Sequence, residues 1–476
     1  MAGRDIGNAI GSELNEWRSP VLEFNGTESP DFKSNSKLRG LVFSDYNWET
    51  CTTAVDKALA TVWKSLKTVT QRKYPEISLY TGFVRQGSSR EGLKVTQPDE
   101  FDCVVEFTVE GLSFTKIPVW SDGQSIPGHM YISVNKSYKD LQLICPNLYR
   151  EGVFCDHEED IILDTQNLLT KVFTSLFESC LSKVKNDIPL KSEMFVMQKH
   201  KAAPPTFCFK FEINHAEGED PFMLMNQAGT VVGESARWTS RKKIIEFDLV
   251  PALILERDKV PNPYTVRTGK VQYMDCVRYA VMKSINGKIV NSQYQNVETQ
   301  AIWRESTCGY EKHIFDVSRR NVSQRYLMTA CRVLKSYLRY LGSYSISNQL
   351  LKVITTYRLK NLCIHGILLL TIPSSEKKLS GVKEALGYMI AFLQMSLERQ
   401  YLPHFYYGNI YLLQMFPDSL QILESEKLDL FSDVVRDTLI QASLSLPQLL
   451  KDLNGLYIDK NMLSPTVLGQ YSELLD

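Results

Sequence analysis

Three carboxylates lie inside stretches of this sequence that otherwise read as buried β-strand. In Glu100-Phe101-Asp102-Cys103-Val104-Val105-Glu106-Phe107, alternation of period two puts Glu100 and Asp102 on one face while Phe101, Val105 and Phe107 ask for burial. In the run from Ile244 to Leu255, Asp248 has almost only apolar neighbours, where a solvated acid fits poorly. Neighbouring carboxylates beside an apolar core are costly when unpaired, and a divalent cation with oxygen ligands removes that cost. Three carboxylates on two adjacent strands can hold a pair of such ions about 3.5 to 4 Å apart, one polarising an attacking hydroxyl and the other clamping a leaving group.

Upstream of the first acidic strand stands Gly87-Ser88, between a short strand and a polar, helix-compatible stretch. Exposed backbone N–H groups and a hydroxyl at such a turn suit a phosphate, although a Gly-Ser pair by itself is an ordinary turn. Its place twelve residues before Glu100 gives it weight.

Around this segment the texture divides the chain. Residues 1–42 mix Gly, Ser, Asn and Pro without a sustained period and read as a partly ordered or loosely packed arm. From Phe43 to Tyr74, Ala54, Leu59, Val62, Trp63, Leu66 and Val69 recur at helical spacing. Lys57, Lys64, Lys67, Arg72 and Lys73 fill much of the other face, predicting a long amphipathic helix with a basic side. Strands are predicted at Leu79 to Val84, Phe101 to Val109, Thr206 to Ile213 and Lys243 to Leu255, with a helix at Ile161 to Val184 and an inserted loop from Asn214 to Thr239. Beyond Glu298 the spacing turns helical, in Tyr326 to Leu341, Asn348 to Leu370, Gly381 to Arg399 and Leu428 to Leu450. The expected fold is therefore α+β and bilobal: a long N-terminal spine helix and a mixed β-sheet core over residues 43–297, then a helical lobe over 298–476.

With 43% hydrophobic and 23% charged residues, the 476-residue chain has the balance of a folded protein. No apolar run reaches eighteen residues, and Arg4, Asp5 and Glu13 interrupt the start where a secretory signal needs an apolar stretch, so no transmembrane segment and a cytoplasmic, or also nuclear, location are expected. Lys+Arg and Asp+Glu both total 54, which confines any nucleic-acid surface to a local patch. The ten cysteines are scattered without a C-x-x-C pair and read as reduced, mostly buried thiols.

The order G-S, then E-F-D in a strand, then Asp248 in h-D-h-h-h-A-h resembles the nucleotidyltransferase core of the cyclic GMP-AMP synthase family and its animal cGAS-like receptor relatives. The resemblance runs from about residue 43 to 415. Ile302-Trp303-Arg304-Glu305-Ser306 with Glu311-Lys312 looks like the family's W-R-x-S segment, Leu334-Lys335-Ser336-Tyr337-Leu338 like its phosphate-lysine helix, and Thr355-Thr356-Tyr357-Arg358-Leu359-Lys360 like its S-S-Y-H-h-K segment. Leu402-Pro403-His404-Phe405 is similar to its aromatic-proline closing motif. The resemblance implies Mg²⁺ or Mn²⁺ on Glu100, Asp102 and Asp248, which are then both metal ligands and catalytic residues. It implies a nucleotide site of Gln86, Gly87, Ser88, Arg304, Glu311, Lys335, Thr356 and Tyr357, and synthesis of a cyclic dinucleotide from ATP and GTP in innate immune signalling.

One departure is plain. The vertebrate enzymes carry a zinc ribbon between the W-R segment and the lysine helix, and here residues His313 to Thr329 contain no cysteine. No zinc is expected, since structural zinc needs four nitrogen or sulfur ligands. Loss of the ribbon weakens the case for double-stranded DNA and favours double-stranded RNA, read by shape and phosphate over Lys57, Lys64, Lys67, Arg72 and Lys73. A catalytically silent scaffold or adaptor of the same fold, or a transferase extending RNA ends, are the other readings.

Overall fold

The computed structural model describes residues 17–18, 32, 35–41, 45–95, 99–121, 124–187, 198–200, 206–214, 242–261, 273–282, 301–320, 322–343, 348–371, 378–416 and 427–476. The long helix α1 (Asp45–Lys73) forms because Trp48, Cys51, Val55, Leu59, Val62, Leu66 and Val69 make one buried stripe at spacings of three and four. Lys57, Lys64, Lys67 and Arg72 stay exposed on its far side. Arg72 and Lys73 in the last turn suit the negative end of the helix, and Pro75 disfavours continuation beyond Tyr74.

β1 (Ile77–Gln86) leads directly into the five-residue helix α2 (Gly87–Glu91), and β2 (Glu100–Val109) follows. Then come β3 (Phe114–Ser121), β4 (Gln124–Val134), α3 (Tyr138–Ile144), α4 (Pro146–Arg150), β5 (Phe154–His157), β6 (Asp160–Leu163) and α5 (Thr174–Asp187). The sheet is completed by β7 (Gln198–His200), β8 (Phe207–Asn214), β9 (Lys242–Pro261), β10 (Tyr273–Val281) and β11 (Trp303–Ser306).

These strands form one mixed sheet with β1-β2-β9-β10-β11-β4-β6-β5 in order, β3 beside β4, and β7 beside β8. β2 and β9 run parallel, and the other pairs are antiparallel. β9 is long enough that its first half pairs with β8 and its second half with β10 along the same edge. One face of the sheet carries Phe101, Cys103, Val105, Phe107, Phe209, Phe247 and Leu249 into a core closed by α1 and α5. Rings stack there, Phe209 on Phe247 at 5.4 Å and Phe107 against Phe173 at 4.9 Å.

Helices follow: α6 (Cys308–Arg320), α7 (Val322–Ser343), α8 (Leu350–Val353), α9 (Thr356–Thr371), α10 (Val382–Arg399), α11 (Arg436–Asp452) and α12 (Pro465–Leu475). α9 is buried on nearly all sides, through Leu359, Leu362, Cys363, Ile364, Ile367 and Leu368, which makes it the central helix of a second apolar core. No helix among the described residues is long and apolar enough to cross a membrane. No disulfide joins any of the ten cysteines, and eight of them are buried.

Several sequence expectations need adjusting. Ile161 and Ile162 belong to β6, where β-branched residues pair with β5, and the helical turn begins only after Asp164, whose carboxylate accepts from the Asn167 N–H at 2.8 Å. Trp303–Ser306 lies beyond the expected boundary at residue 298 yet is a sheet strand between β10 and β4. The helix expected over Asn348 to Leu370 breaks into α8 and α9, because the Thr355 hydroxyl caps a new start by accepting from the Arg358 N–H. Residues 428–435 are not helical, since the Asp429 carboxylate takes the N–H groups of Leu402 and Phe431. In the N-terminal arm, Trp17 packs on Phe101 with ring centroids 4.8 Å apart, while Phe32 and Leu38 are buried in the helical core. The insertion read over Asn214 to Thr239 lies, beyond Asn214, outside the described residues.

Candidate metal centre and its surroundings

The parallel register of β2 on β9 sets Asp102 directly opposite Asp248, and Glu100 stands two residues earlier on the same face as Asp102. One carboxylate oxygen from each of the three lies within 4.8 Å of the others. This face is the one turned away from the Phe101 and Phe247 core, so the strand alternation that buries the aromatics also delivers the acids together.

The cluster is electrostatically loaded. Burial, followed by the charges of Glu100 and Asp248, pushes the Asp102 carboxyl up to about 7 despite Lys94. Glu100 is shifted the other way, chiefly by the Lys94 ammonium, and its side chain is half exposed. Lys94, only 2% exposed, donates to Glu100 Oε2 at 3.2 Å and to the Glu100 carbonyl at 3.1 Å. Three clustered carboxylates, one of them driven toward its neutral form by burial and by its acidic neighbours, are a donor set suited to a hard divalent cation, and Glu100, Asp102 and Asp248 fit Mg²⁺ or Mn²⁺ on that ground. Among the described residues this is the one His, Cys, Asp and Glu group with such spacing.

Gly87 closes the other side. Its φ of +69° is a left-handed conformation, and a Cβ added there would run into the Asp102 carboxylate. Gln86, buried at the end of β1, sits opposite Asp102 in the register, giving a row Gln86, Asp102, Asp248 across three strands. Ser88 follows in α2, half-buried, with its carbonyl accepting the N–H groups of Gly92 and Leu93. The Ser89 hydroxyl donates to the Glu100 carbonyl at 2.7 Å, tying α2 to the start of β2.

The helices bring further predicted residues toward this loop. Lys335 on α7 is buried, donates to the Leu93 carbonyl at 3.3 Å, and is pushed down to about 7 by burial and by the nearby Lys94 and Arg339. Arg339 reaches the Val95 carbonyl at 3.5 Å. A wall of three cationic side chains thus flanks Glu100.

Arg304 lies on the acidic face as well, in the row Glu106, Ala252, Val281, Arg304 that crosses β2, β9, β10 and β11. That row is four residues from the Asp248 row, so Arg304 stands roughly 13 Å along and roughly 10 Å across the sheet from Asp248. Tyr357 is near it electrostatically and is bridged to His404, Oη to Nε2, at 2.8 Å. His404 Nδ1 accepts the Tyr406 N–H, and burial holds this imidazole well below its usual range, so its proton resides on Nε2 and is donated to Tyr357. Thr356 is exposed at the start of α9. Glu311 is buried, and its carboxylate holds the Lys360 ammonium.

Of the basic residues on α1, Lys57, Lys64, Lys67 and Arg72 project into solvent, but Lys73 turns inward and donates to the Ser175 and Ser179 hydroxyls at 2.8 and 2.7 Å. Sequence reasoning passed over Ser89, Arg90, Glu91 and Lys94, although four polar side chains in the link between a Gly-Ser turn and an acidic strand were a usable signal.

No protein-family model matches the chain, and no curated protein does either.

Proposed function

We propose that this chain is a metal-dependent nucleotidyltransferase whose site joins nucleoside triphosphates on the acidic face of the sheet. One observation carries the reading: Glu100, Asp102 and Asp248, from strands far apart in sequence, converge within 4.8 Å beside Gly87-Ser88. A site that binds only a base or a peptide has no use for three carboxylates that repel one another.

Bound divalent ions supply polarisation of an attacking hydroxyl and charge to offset the triphosphate. The chain's own residues do the positioning. Ser88 and the Gln86-Gly87 turn cradle the donor triphosphate, with Lys335 supplying a cation as the phosphates approach. Arg304, four residues along the sheet from the Asp248 row, and the Tyr357 ring receive the base of the second nucleotide. A ribose hydroxyl of one nucleotide attacks the α-phosphate of the other, a new P–O bond forms, and pyrophosphate leaves. Rate acceleration comes from alignment and charge stabilisation.

In finer form, the product is a cyclic dinucleotide of the cyclic GMP-AMP kind, made from ATP and GTP by a bilobal enzyme of the cGAS-like receptor type. Double-stranded RNA lying along the exposed lysines of α1 is the activator. The test is purified protein with labelled ATP, GTP, CTP and UTP and Mg²⁺ or Mn²⁺, without ligand, with double-stranded DNA and with double-stranded RNA, resolved by chromatography. A cyclic dinucleotide supports the proposal, extended RNA points to an end-adding transferase, and no product under any condition leaves a silent scaffold.

A further inference from the structure

We propose that two buried ion pairs, Arg90 with Asp316 and Glu91 with Lys360, are positioning residues that hold the Gly87-Ser88 turn against Asp102. The inference rests on the reading of the carboxylates as a metal and nucleotide site. α2 spans five residues, far too few to keep a helix in place by its own hydrogen bonds. Yet its first residue touches the Asp102 carboxylate closely enough that no side chain fits between them.

Besides the Ser89 hydroxyl on the Glu100 carbonyl, charge at its other end fixes α2. The Arg90 guanidinium is 0% exposed and grips Asp316 on α6 with a two-pronged contact, 3.0 Å to Oδ1 and 2.8 Å to Oδ2. Next to it the Glu91 carboxylate, 1% exposed, receives the Lys360 ammonium of α9 at 3.1 Å, and the same ammonium also holds Glu311 of α6. Two adjacent residues of one short turn are thus bolted to two different helices.

A buried ion pair adds little net stability over apolar side chains of the same volume, but a planar guanidinium fork dictates direction as well as distance. Its effect here is therefore on placement: α6 and α9 set Arg90 and Glu91, these set Gly87, and Gly87 limits where the Asp102 oxygens can stand. Asp316 and Lys360 thereby couple α6 and α9 to the acid cluster through α2.

The test is the double variant Arg90→Met with Asp316→Leu, which replaces the fork by apolar volume, compared with wild type in the full chain. Expected are an unfolding temperature close to wild type, amide hydrogen exchange at least tenfold faster over residues 87–95, and Mn²⁺ affinity weakened about fivefold or more. With nucleoside triphosphates, kcat falls about tenfold or more while KM changes less than twofold. Should the double variant fail to fold, Arg90→Lys keeps the charge but removes the fork, and faster exchange of the same segment is expected from it. Unchanged exchange and unchanged Mn²⁺ affinity in either folded variant overturns the inference. Faster exchange and weaker Mn²⁺ binding in a protein whose wild type makes no nucleotide product sustains it, and sinks the enzymatic reading instead.

Discussion

Gly87 is packed so tightly against the Asp102 carboxylate that the Cα hydrogen is the largest group the gap admits. The turn before α2 and the middle acid of the cluster are consequently one steric unit. Gly87→Ala meets two penalties, the left-handed φ of +69° and the collision with Asp102. A displacement of about 1 Å at the acid costs up to roughly 100-fold in turnover. Steady-state kinetics should show that loss mainly in kcat, with circular dichroism unchanged in shape.

Asp102 makes the metal-free protein pH-sensitive in a defined direction. Its carboxyl, pushed up to about 7, keeps a proton that the unfolded chain gives up near the ordinary carboxylate value of about 4. Between those values the native state binds more protons than the unfolded state, so its stability falls as pH rises from about 4 to about 7. Asp102→Asn should flatten that slope in chemical denaturation. Mg²⁺ or Mn²⁺ binding below about pH 7 should release a proton, seen as a calorimetric heat that depends on the buffer's ionisation enthalpy.

Lys335 has the opposite sign. Burial, with Lys94 and Arg339 nearby, brings it down to about 7, whereas the unfolded chain holds that proton up to about 10. The unfolded state then binds more protons between those limits, and stability from this group rises with pH across the window. A triphosphate arriving beside Lys335 restores the charge, so nucleotide binding at about pH 8 should take up a proton. Lys335→Met should abolish the uptake and weaken nucleotide affinity by about 1.5–3 kcal/mol, the value of a hydrogen bond to a charged group.

Much of this arrangement was legible in the residues and part was not. Period-two alternation located both acidic strands and the acids' common face, because burial of Phe101 and Phe247 leaves Asp102 and Asp248 no other side. Helical spacing found α1 and its exposed lysines for the same reason. β3 to β7, β10 and β11 were missed. Trp303–Ser306 is only four residues long, and its strand character comes from neighbours in β10 and β4 that are distant in sequence. The inward turn of Lys73 and the burial of Arg90 and Glu91 are likewise invisible without their partners, since Ser175, Asp316 and Lys360 announce no pairing by spacing.

On α1 the distinction between projecting and tied cations gives a sharp expectation. Replacing Lys57, Lys64, Lys67 and Arg72 together by Ala should weaken double-stranded RNA binding and lower the slope of log affinity against log salt by about one for each phosphate left without its cation. Lys73→Ala should leave that slope unchanged and lower thermal stability, because it strands two hydroxyls of α5. Fluorescence anisotropy over a salt series separates the two.

The convergence of the three acids is tested most directly by Mn²⁺ titration followed by electron paramagnetic resonance, on wild type, Asp102→Asn and Asp248→Asn. Wild type should deplete the free Mn²⁺ signal with saturable stoichiometry, and loss of either aspartate should weaken that binding by tenfold or more while the fold persists. Equal Mn²⁺ binding by wild type and a folded Asp248→Asn protein would contradict a cation site shared by β2 and β9.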